Sequence, residues 1–414
     1  MNAKTLKGSY CLAIGLFSSS SLLANEWTGE AGIESRYFLQ SPQFAEQFDG
    51  FSASGYVLPE YYTDWNKRRD SLIFEPFLRV DQRDPERTHV DIRELVWRHA
   101  TDDWELKLGL STVFWGVTES QHLVDVINQT DAVENLDGED KLGQPMAMLR
   151  LIRDWGTLDA YLLPGFRERT FPGPKGRLSG IPITADDSIY ESSAEQRHTD
   201  LALRWSQVFG DWDVGLSYFR GTSREPRLLI SASPNDNAAI DTPIRFRPLY
   251  EQIHQIGIDV QATLGAWLWK FEGIHRSGQG SDFFASTFGF EYSFYSVFGS
   301  DADIGVLVEY LYDDREADAA TTLTQPISFV GPDNDVFLAG RFAFNDIQSS
   351  ELLAGCSLDM DSSANFCIVE GSRRLSDNWV ISIEARLFSS IDDNHSFATV
   401  RDDGVLQLDL TYHF

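Results

Sequence analysis

Apolar residues are too few in this chain for a bundle of membrane helices. They make up 42% of its 414 residues, and mean hydropathy is −0.26, whereas a spanning helix needs about 20 consecutive apolar residues. Basic residues are also scarce, 34 against 63 acidic ones, for a formal charge of −29. That balance excludes nucleic acid as a partner. Cysteine is nearly absent, with three in all. Cys11 has Gly8, Ser9 and Tyr10 ahead of it, a poor match to a lipoprotein processing site, so no lipid anchor is expected. Cys356 and Cys367 flank a polar stretch and lack the short spacing or histidine companions of a zinc or redox pair; in an exported chain they read as a disulfide.

Catalytic signatures are missing as well. The eight histidines, His89, His99, His122, His198, His254, His275, His395 and His413, are spread along the chain without a glycine-framed serine or a metal-spaced partner. Asp359, Asp361, Ser363 and Glu370 follow calcium-loop spacing, but Ala364 stands where the turn needs glycine. The sequence therefore predicts no enzyme, no cofactor and no metal site.

What is present is alternation. From Gly404 to Phe414, Leu406, Leu408, Leu410, Tyr412 and Phe414 alternate with Gln407, Asp409, Thr411 and His413. A strand of this kind ending on an aromatic resembles the closing strand of a Gram-negative outer-membrane barrel. At the other end, Lys4 and Lys7 precede an apolar stretch from Tyr10 to Leu23 and then Ala24, so residues 1–24 read as a cleaved secretory signal. Without it the charge is 32 − 63 = −31. Residues 25–414 read as one domain.

Segments of apolar-polar alternation recur near 27–39, 51–63, 71–81, 88–99, 103–113, 145–153, 156–164, 197–207, 211–220, 250–263, 267–276, 285–297, 302–313, 335–345, 348–357, 365–374, 378–389 and 403–414. They predict an all-β, antiparallel up-and-down barrel of about 18 strands (16 if one hairpin is misread), with both termini periplasmic. The short turns sort to one side, and the connections at 114–144, 165–196, 221–249, 314–334 and 390–402 to the other. Phe288, Phe290, Tyr292 and Phe294 are expected to face lipid, with Thr287, Glu291 and Ser293 inward. Between Val90 and Trp97 the apolar phase flips, which predicts a bulge if the strand is correctly assigned there.

Charges fall on the inward face: Glu75, Arg79, Asp91, Arg93, Glu105, Lys107, Asp200, Arg204, Asp259, Lys270, Glu272, Glu309, Arg386 and Asp409. They require a wet or ion-paired lumen. The connection 114–144 is expected to fold inward and narrow it. Thr118 and Gln121 have capping-box spacing and predict a short helix from Glu119, with Leu123, Val124 and Ile127 on one face. The loop carries Glu119, Asp125, Asp131, Glu134, Asp137, Glu139 and Asp140 against Lys141. The next connections carry Arg167, Arg169, Lys175, Arg177, Arg224, Arg227, Arg245 and Arg247. Two arrangements are open: a transverse field across the lumen, or salt bridges that hold the loops together.

Leu108-Gly109, Trp115-Gly116, Asp125-Val126-Ile127-Asn128, Asp131, Pro145 and Pro164 resemble a group of large Gram-negative outer-membrane barrels of largely unknown function. In that group a Trp-Gly pair leads to an Asn-Pro-x-Asp element; here Gln129 stands in place of the proline. The resemblance implies a pore-like barrel. The reading is a channel for passive diffusion of small hydrophilic solutes, with constriction candidates Trp115, Glu119, Asp125, Asp131, Arg79, Arg93, Lys107, Arg167, Arg169, Arg204 and Arg386. Its partners would be outer-membrane lipid and lipopolysaccharide, and the barrel assembly machinery through Phe414. The alternative is an occluded barrel whose outer loops bind a glycan, a surface or a partner.

Overall fold

The computed structural model describes residues 25–178, 188–231, 245–315, 331–393 and 395–414. The expected signal, 1–24, lies outside the described residues, as does the side chain of Arg245. The strands are β1 (Glu26–Phe38), β2 (Phe51–Trp65), β3 (Asp70–Asp81), β4 (His89–Ala100), β5 (Trp104–Ser111), β6 (Gln144–Arg153), β7 (Gly156–Pro164), β8 (Ile189–Tyr190), β9 (Thr199–Phe209), β10 (Trp212–Thr222), β11 (Arg227–Ser231), β12 (Arg245–Tyr250), β13 (Gln252–Leu264), β14 (Trp267–Ser277), β15 (Phe283–Phe294), β16 (Asp303–Asp313), β17 (Asn334–Ala343), β18 (Glu351–Asp359), β19 (Asn365–Arg374), β20 (Trp379–Ser389) and β21 (Val405–His413).

Eighteen of these form one sheet. Each barrel strand pairs antiparallel with the next, and β21 returns to β1 with Glu30 opposite His413 and Phe38 opposite Val405. The N–H of Phe414 donates to the carbonyl of Gly29, and Gly29 returns the bond. Closure leaves no unpaired sheet edge. The 18-strand reading holds, and the described parts of the long connections leave the strands at the end opposite the termini. The remaining strands, β8, β11 and β12, form a small separate sheet at that end.

Alternation fixes which face is which. Phe288 and Phe294 are exposed on the outer surface while Thr287 is fully buried inside. On β20, Trp379, Ile383 and Leu387 are exposed and Arg386 is buried. Trp27, Trp155, Trp212, Trp267 and Trp379, all exposed, ring the end that carries the short turns. The phase flip in β4 is a bulge: Glu75 pairs with Glu94 and Pro76 with Ile92, so Arg93 is the extra residue. Val90 and Leu95 therefore both face outward, while Arg93 and Val96 are buried inside.

Cys356 and Cys367 are bonded and lie directly opposite in the β18–β19 ladder. The bridge is thus a rung between two strands, closing the connection 360–364 at its base.

One arc of the inner wall departs from the polar-inside pattern. Met146, Met148, Tyr161, Leu163, Ala202, Phe219, Ile253, Ile274, Phe283 and Ala285, on β6 to β15, form a buried cluster with Trp115, Val124, Val126 and Ile127 of the connection after β5. Apolar residues on the inside of a wet barrel need a cover, and this connection supplies it.

Candidate functional site

The connection after β5 runs through the barrel interior without a helix, contrary to the capping-box expectation at Glu119. The reason is competition from the wall. The Glu272 carboxylate on β14 accepts hydrogen bonds from the N–H groups of Val117 (2.7 Å), Thr118 (3.0 Å) and Val124 (3.2 Å), and from the Thr118 hydroxyl (2.7 Å). Glu309 on β16 accepts from the N–H of Glu119 (2.9 Å), the N–H of Ser120 (2.8 Å) and the Ser120 hydroxyl (2.6 Å). Charged acceptors bind N–H groups more strongly than a carbonyl does, and here they take the donors at the start of the expected helix. Gly116 makes the approach possible: its φ is +146°, and a Cβ there would stand 3.1 Å from Glu272 Oε1.

Asn128 staples the two ends of the connection. Its amide donates to the carbonyls of Ser111 (3.0 Å) and Leu142 (2.8 Å), and its oxygen accepts from Val113 N–H (2.8 Å). The Gln129 side chain donates to the Arg167 carbonyl, and its backbone carbonyl accepts from Leu142 N–H.

The acids of this connection are paired with wall side chains around the barrel. Glu119 meets Arg341 of β17 at 2.8 Å and Lys270 of β14 at 3.5 Å. Asp137 meets Arg386 of β20 at 2.8 Å, and Arg386 also holds Glu384 at 2.6 Å. Glu134 meets Arg79 of β3 at 2.7 Å, and Asp131 meets Arg93 at the β4 bulge at 2.6 Å. Asp125 pairs within the connection, with Lys141 at 3.2 Å. These contacts reach β3, β4, β14, β17 and β20, so the segment bridges the lumen.

Several arginines of the long outer connections ion-pair elsewhere while also donating to this segment's backbone, Arg224 Nε to the Ile127 carbonyl (3.0 Å) and Arg167 Nη1 to the Gly143 carbonyl (3.0 Å). Arg167 meets Asp91 at 2.7 Å, Arg224 meets Asp200 at 2.6 Å, and Arg227 pairs with Glu251. Arg177 is fully buried against Asp403 at 2.5 Å, with its guanidinium 4.6 Å over Phe38. Arg169 Nε lies 3.5 Å from Gln129 Oε1, and its backbone N–H donates to Tyr250 Oη. Of the two arrangements open from sequence, the structure has pairwise salt bridges between the acidic connection and the wall.

Ten of the eleven constriction candidates gather around this segment. Trp115 packs edge-on to Tyr161 at 5.7 Å, and Arg204, bidentate to Asp259 at 2.6 and 2.7 Å, lies over its ring at 5.4 Å. Lys107 stands apart, 3.8 Å from Glu105 on β5 and partly exposed. Sequence reasoning left Arg341, Glu272, Glu309, Glu134 and His89 out of the set. The two wall carboxylates were legible as inward charges but not as acceptors for a segment some 150–190 positions away. In the stretch with calcium-like spacing, Asp359 accepts from Asp361 and Ser362 N–H, and Asp361 accepts from the Asn334 side chain.

Asp131 and His122 of this segment have shifted ionisation. Burial alone would raise Asp131, but His89, Arg93 and Thr170 hold its carboxyl well below the usual range. Burial alone would lower His122, but Glu139, 2.8 Å from its Nε2, holds it above the ordinary histidine value.

No family model matches the chain, and no curated protein does. Solved structures do. A BenF-like porin from Pseudomonas fluorescens Pf-5 aligns with a TM-score of 0.52 at 10% identity, covering 94% of this chain and 98% of that one. Pseudomonas aeruginosa OpdO aligns with a TM-score of 0.51 at 8% identity, covering 94% and 96%. At such identities the likeness is one of fold: an 18-stranded barrel of the porin kind.

Proposed function

We propose that the protein is an outer-membrane channel through which small hydrophilic solutes diffuse passively, and that the connection after β5 sets its width. The observation that carries this reading is the bridging segment itself, ion-paired to Arg386 on one side and to Arg79 and Arg93 on another. A barrel of about 18 strands encloses more space than its side chains fill, so a segment fixed across it governs what remains. The outward apolar surface and the tryptophan ring at the short-turn end suit a bilayer with an aromatic girdle. On this reading the termini are periplasmic and the long connections face outside. The solute class follows from the lining: partly exposed Arg98, Lys107 and Arg150 stand beside Glu105 and Asp159, a surface for polar solutes of either sign. The porin fold of the structural neighbours supports the same conclusion.

Liposome swelling with sugars of graded size tests it. Swelling that falls off with solute size is the expected result. Swelling equal to protein-free liposomes for every solute contradicts it and favours an occluded barrel that binds an external ligand.

A further inference from the structure

Arg220 on β10, His254 on β13 and His275 on β14 are exposed, while the residues on either side of each along its strand are buried: Phe219 and Gly221, Ile253 and Gln255, Ile274 and Arg276. All three therefore point out of the barrel. The ladder makes them neighbours. Arg220 stands directly opposite His254, and His254 stands opposite Ser277, two positions from His275, so successive side chains of the group start about 5 Å and about 7 Å apart. Their outward neighbours on the strands, Leu201, Tyr218, Ile256, Ser277 and Phe284, include no acid. Among the described residues, the other Asp, Glu, Lys, Arg and His side chains at outward strand positions are Asp70, His99, Arg153 and Arg373, and these lie at the short-turn end. In a chain with 63 acidic and 34 basic residues, the long-connection end of the outer wall is thus charged in one place and with one sign.

Depth decides what this group meets. Arg220 is eight positions above Trp212 on β10, and His275 is eight above Trp267 on β14; a strand tilted about 40° climbs roughly 21 Å over that span, against an apolar band about 25 Å tall. The three side chains therefore stand at the far headgroup boundary, where an arginine keeps its stem in lipid and its head among polar groups. Exposed Tyr218, Phe284 and Tyr312 beside them form the matching aromatic belt. Arg220 makes no ion pair among the described residues, unlike the inward Arg79, Arg204 and Arg386. Tyr218 orients His254: its Oη is 2.9 Å from Nδ1, and with the hydroxyl as donor, Nε2 carries the ring hydrogen and remains free to donate. One acid opposes an anion here. Exposed Glu191 accepts from the N–H of Gln252 at 2.7 Å, at the β13 end of the group, and Arg220 with two imidazoles outnumbers it.

We propose that Arg220, His254 and His275 bind a phosphate group of a phosphorylated outer-leaflet glycolipid and so seat one lipid molecule against β10, β13 and β14. The guanidinium offers phosphate a planar pair of N–H donors, and each imidazole offers one more. Phosphate is the headgroup chemistry that matches the sign and depth of the group. The acyl chains run down the apolar wall beneath it, where Leu216 and Ile256 are exposed. The proposal rests on the reading that the long connections face outside, which places the group in the outer leaflet.

The test uses the mature protein, delipidated in detergent, with native mass spectrometry counting the lipid retained. The probes are bisphosphorylated lipid A, the same lipid with its phosphates removed, and phosphatidylglycerol. The expected result is one lipid A per chain, displaced by neither of the others, with affinity weakened at least about tenfold when Arg220→Gln and His254→Gln are combined, as for the loss of charged hydrogen bonds. Arg153→Gln, at the opposite end of the outer wall, should leave it unchanged. Heat-modifiable migration on gels verifies that each variant is folded. No retention of lipid A, equal retention of the phosphate-free lipid or of phosphatidylglycerol, or unchanged affinity in the folded double variant overturns the site. Binding is read in detergent, so it is separable from conduction: a conducting barrel that retains no lipid A strikes this proposal alone, and a silent barrel that retains it strikes the channel alone.

Discussion

Arg386 on β20 and Asp137 in the connection after β5 meet at 2.8 Å, although 249 positions separate them in the chain. Arg386 is 1% exposed and also binds Glu384 at 2.6 Å and the Asn135 side-chain oxygen. This pair ties the segment to the β20 side of the wall, as Arg79 and Arg93 tie it at β3 and β4.

Arg386→Ala leaves Glu384 and Asp137 without that cation. Because Asp137 is 23% exposed, the expected destabilisation is modest, about 1–2 kcal/mol. The same variant should show larger current fluctuations in bilayers. A double-mutant cycle with Asp137→Asn isolates the coupling; a coupling of zero would mean that the two side chains do not hold the segment.

Glu272 replaces a helix by serving three backbone N–H groups and one hydroxyl. Glu272→Gln loses the charge in each of these bonds and should cost about 2–3 kcal/mol, read as a lowered denaturant midpoint. Limited proteolysis should then cut between Val117 and Val124 faster than in the unaltered protein.

His122 supplies a pH dependence. Its raised folded pKa means that the His122–Glu139 tie contributes fully below the ordinary histidine value and is lost as pH rises through the folded one. Proteolytic susceptibility near residues 119–125 should therefore increase from weakly acidic to alkaline pH. His122→Gln should flatten that profile.

Gly109 occupies a backbone conformation with φ +139°, and a Cβ there would stand 2.0 Å from the Leu95 carbonyl oxygen across the β4–β5 ladder. Gly109→Ala should destabilise the wall beside the β4 bulge by at least about 2 kcal/mol, visible as a lower heat-modification temperature. Gly50→Ala, where a Cβ meets nothing within 4 Å, is the control for loss of glycine at positive φ.

The strands were readable because each has one face in water and one against apolar surroundings, so period two survives in sequence even where the chain is locally polar. The β4 bulge was readable for the same reason: an extra residue at Arg93 moves Leu95 and Trp97 into the other phase. The apolar inner arc was not read from the sequence, because Met146, Met148, Tyr161 and Leu163 lie in strands whose other face is also apolar, so alternation does not mark which face is inside. Nor was the path of the connection after β5. Its Thr118–Gln121 spacing is a local helix signal, and it lost to Glu272 and Glu309, which reach it only once the barrel has closed. His89 likewise shows nothing until β4 stands beside the Asp131–Glu134 turn.

Single-channel recording in planar bilayers tests the central claim most directly, comparing the mature protein with a variant in which Thr118–Glu139 is replaced by a short Gly-Ser linker. The account predicts discrete conductance steps for the unaltered protein and larger steps for the variant. Equal steps in both would contradict the role of the segment, and silence in both would contradict the channel.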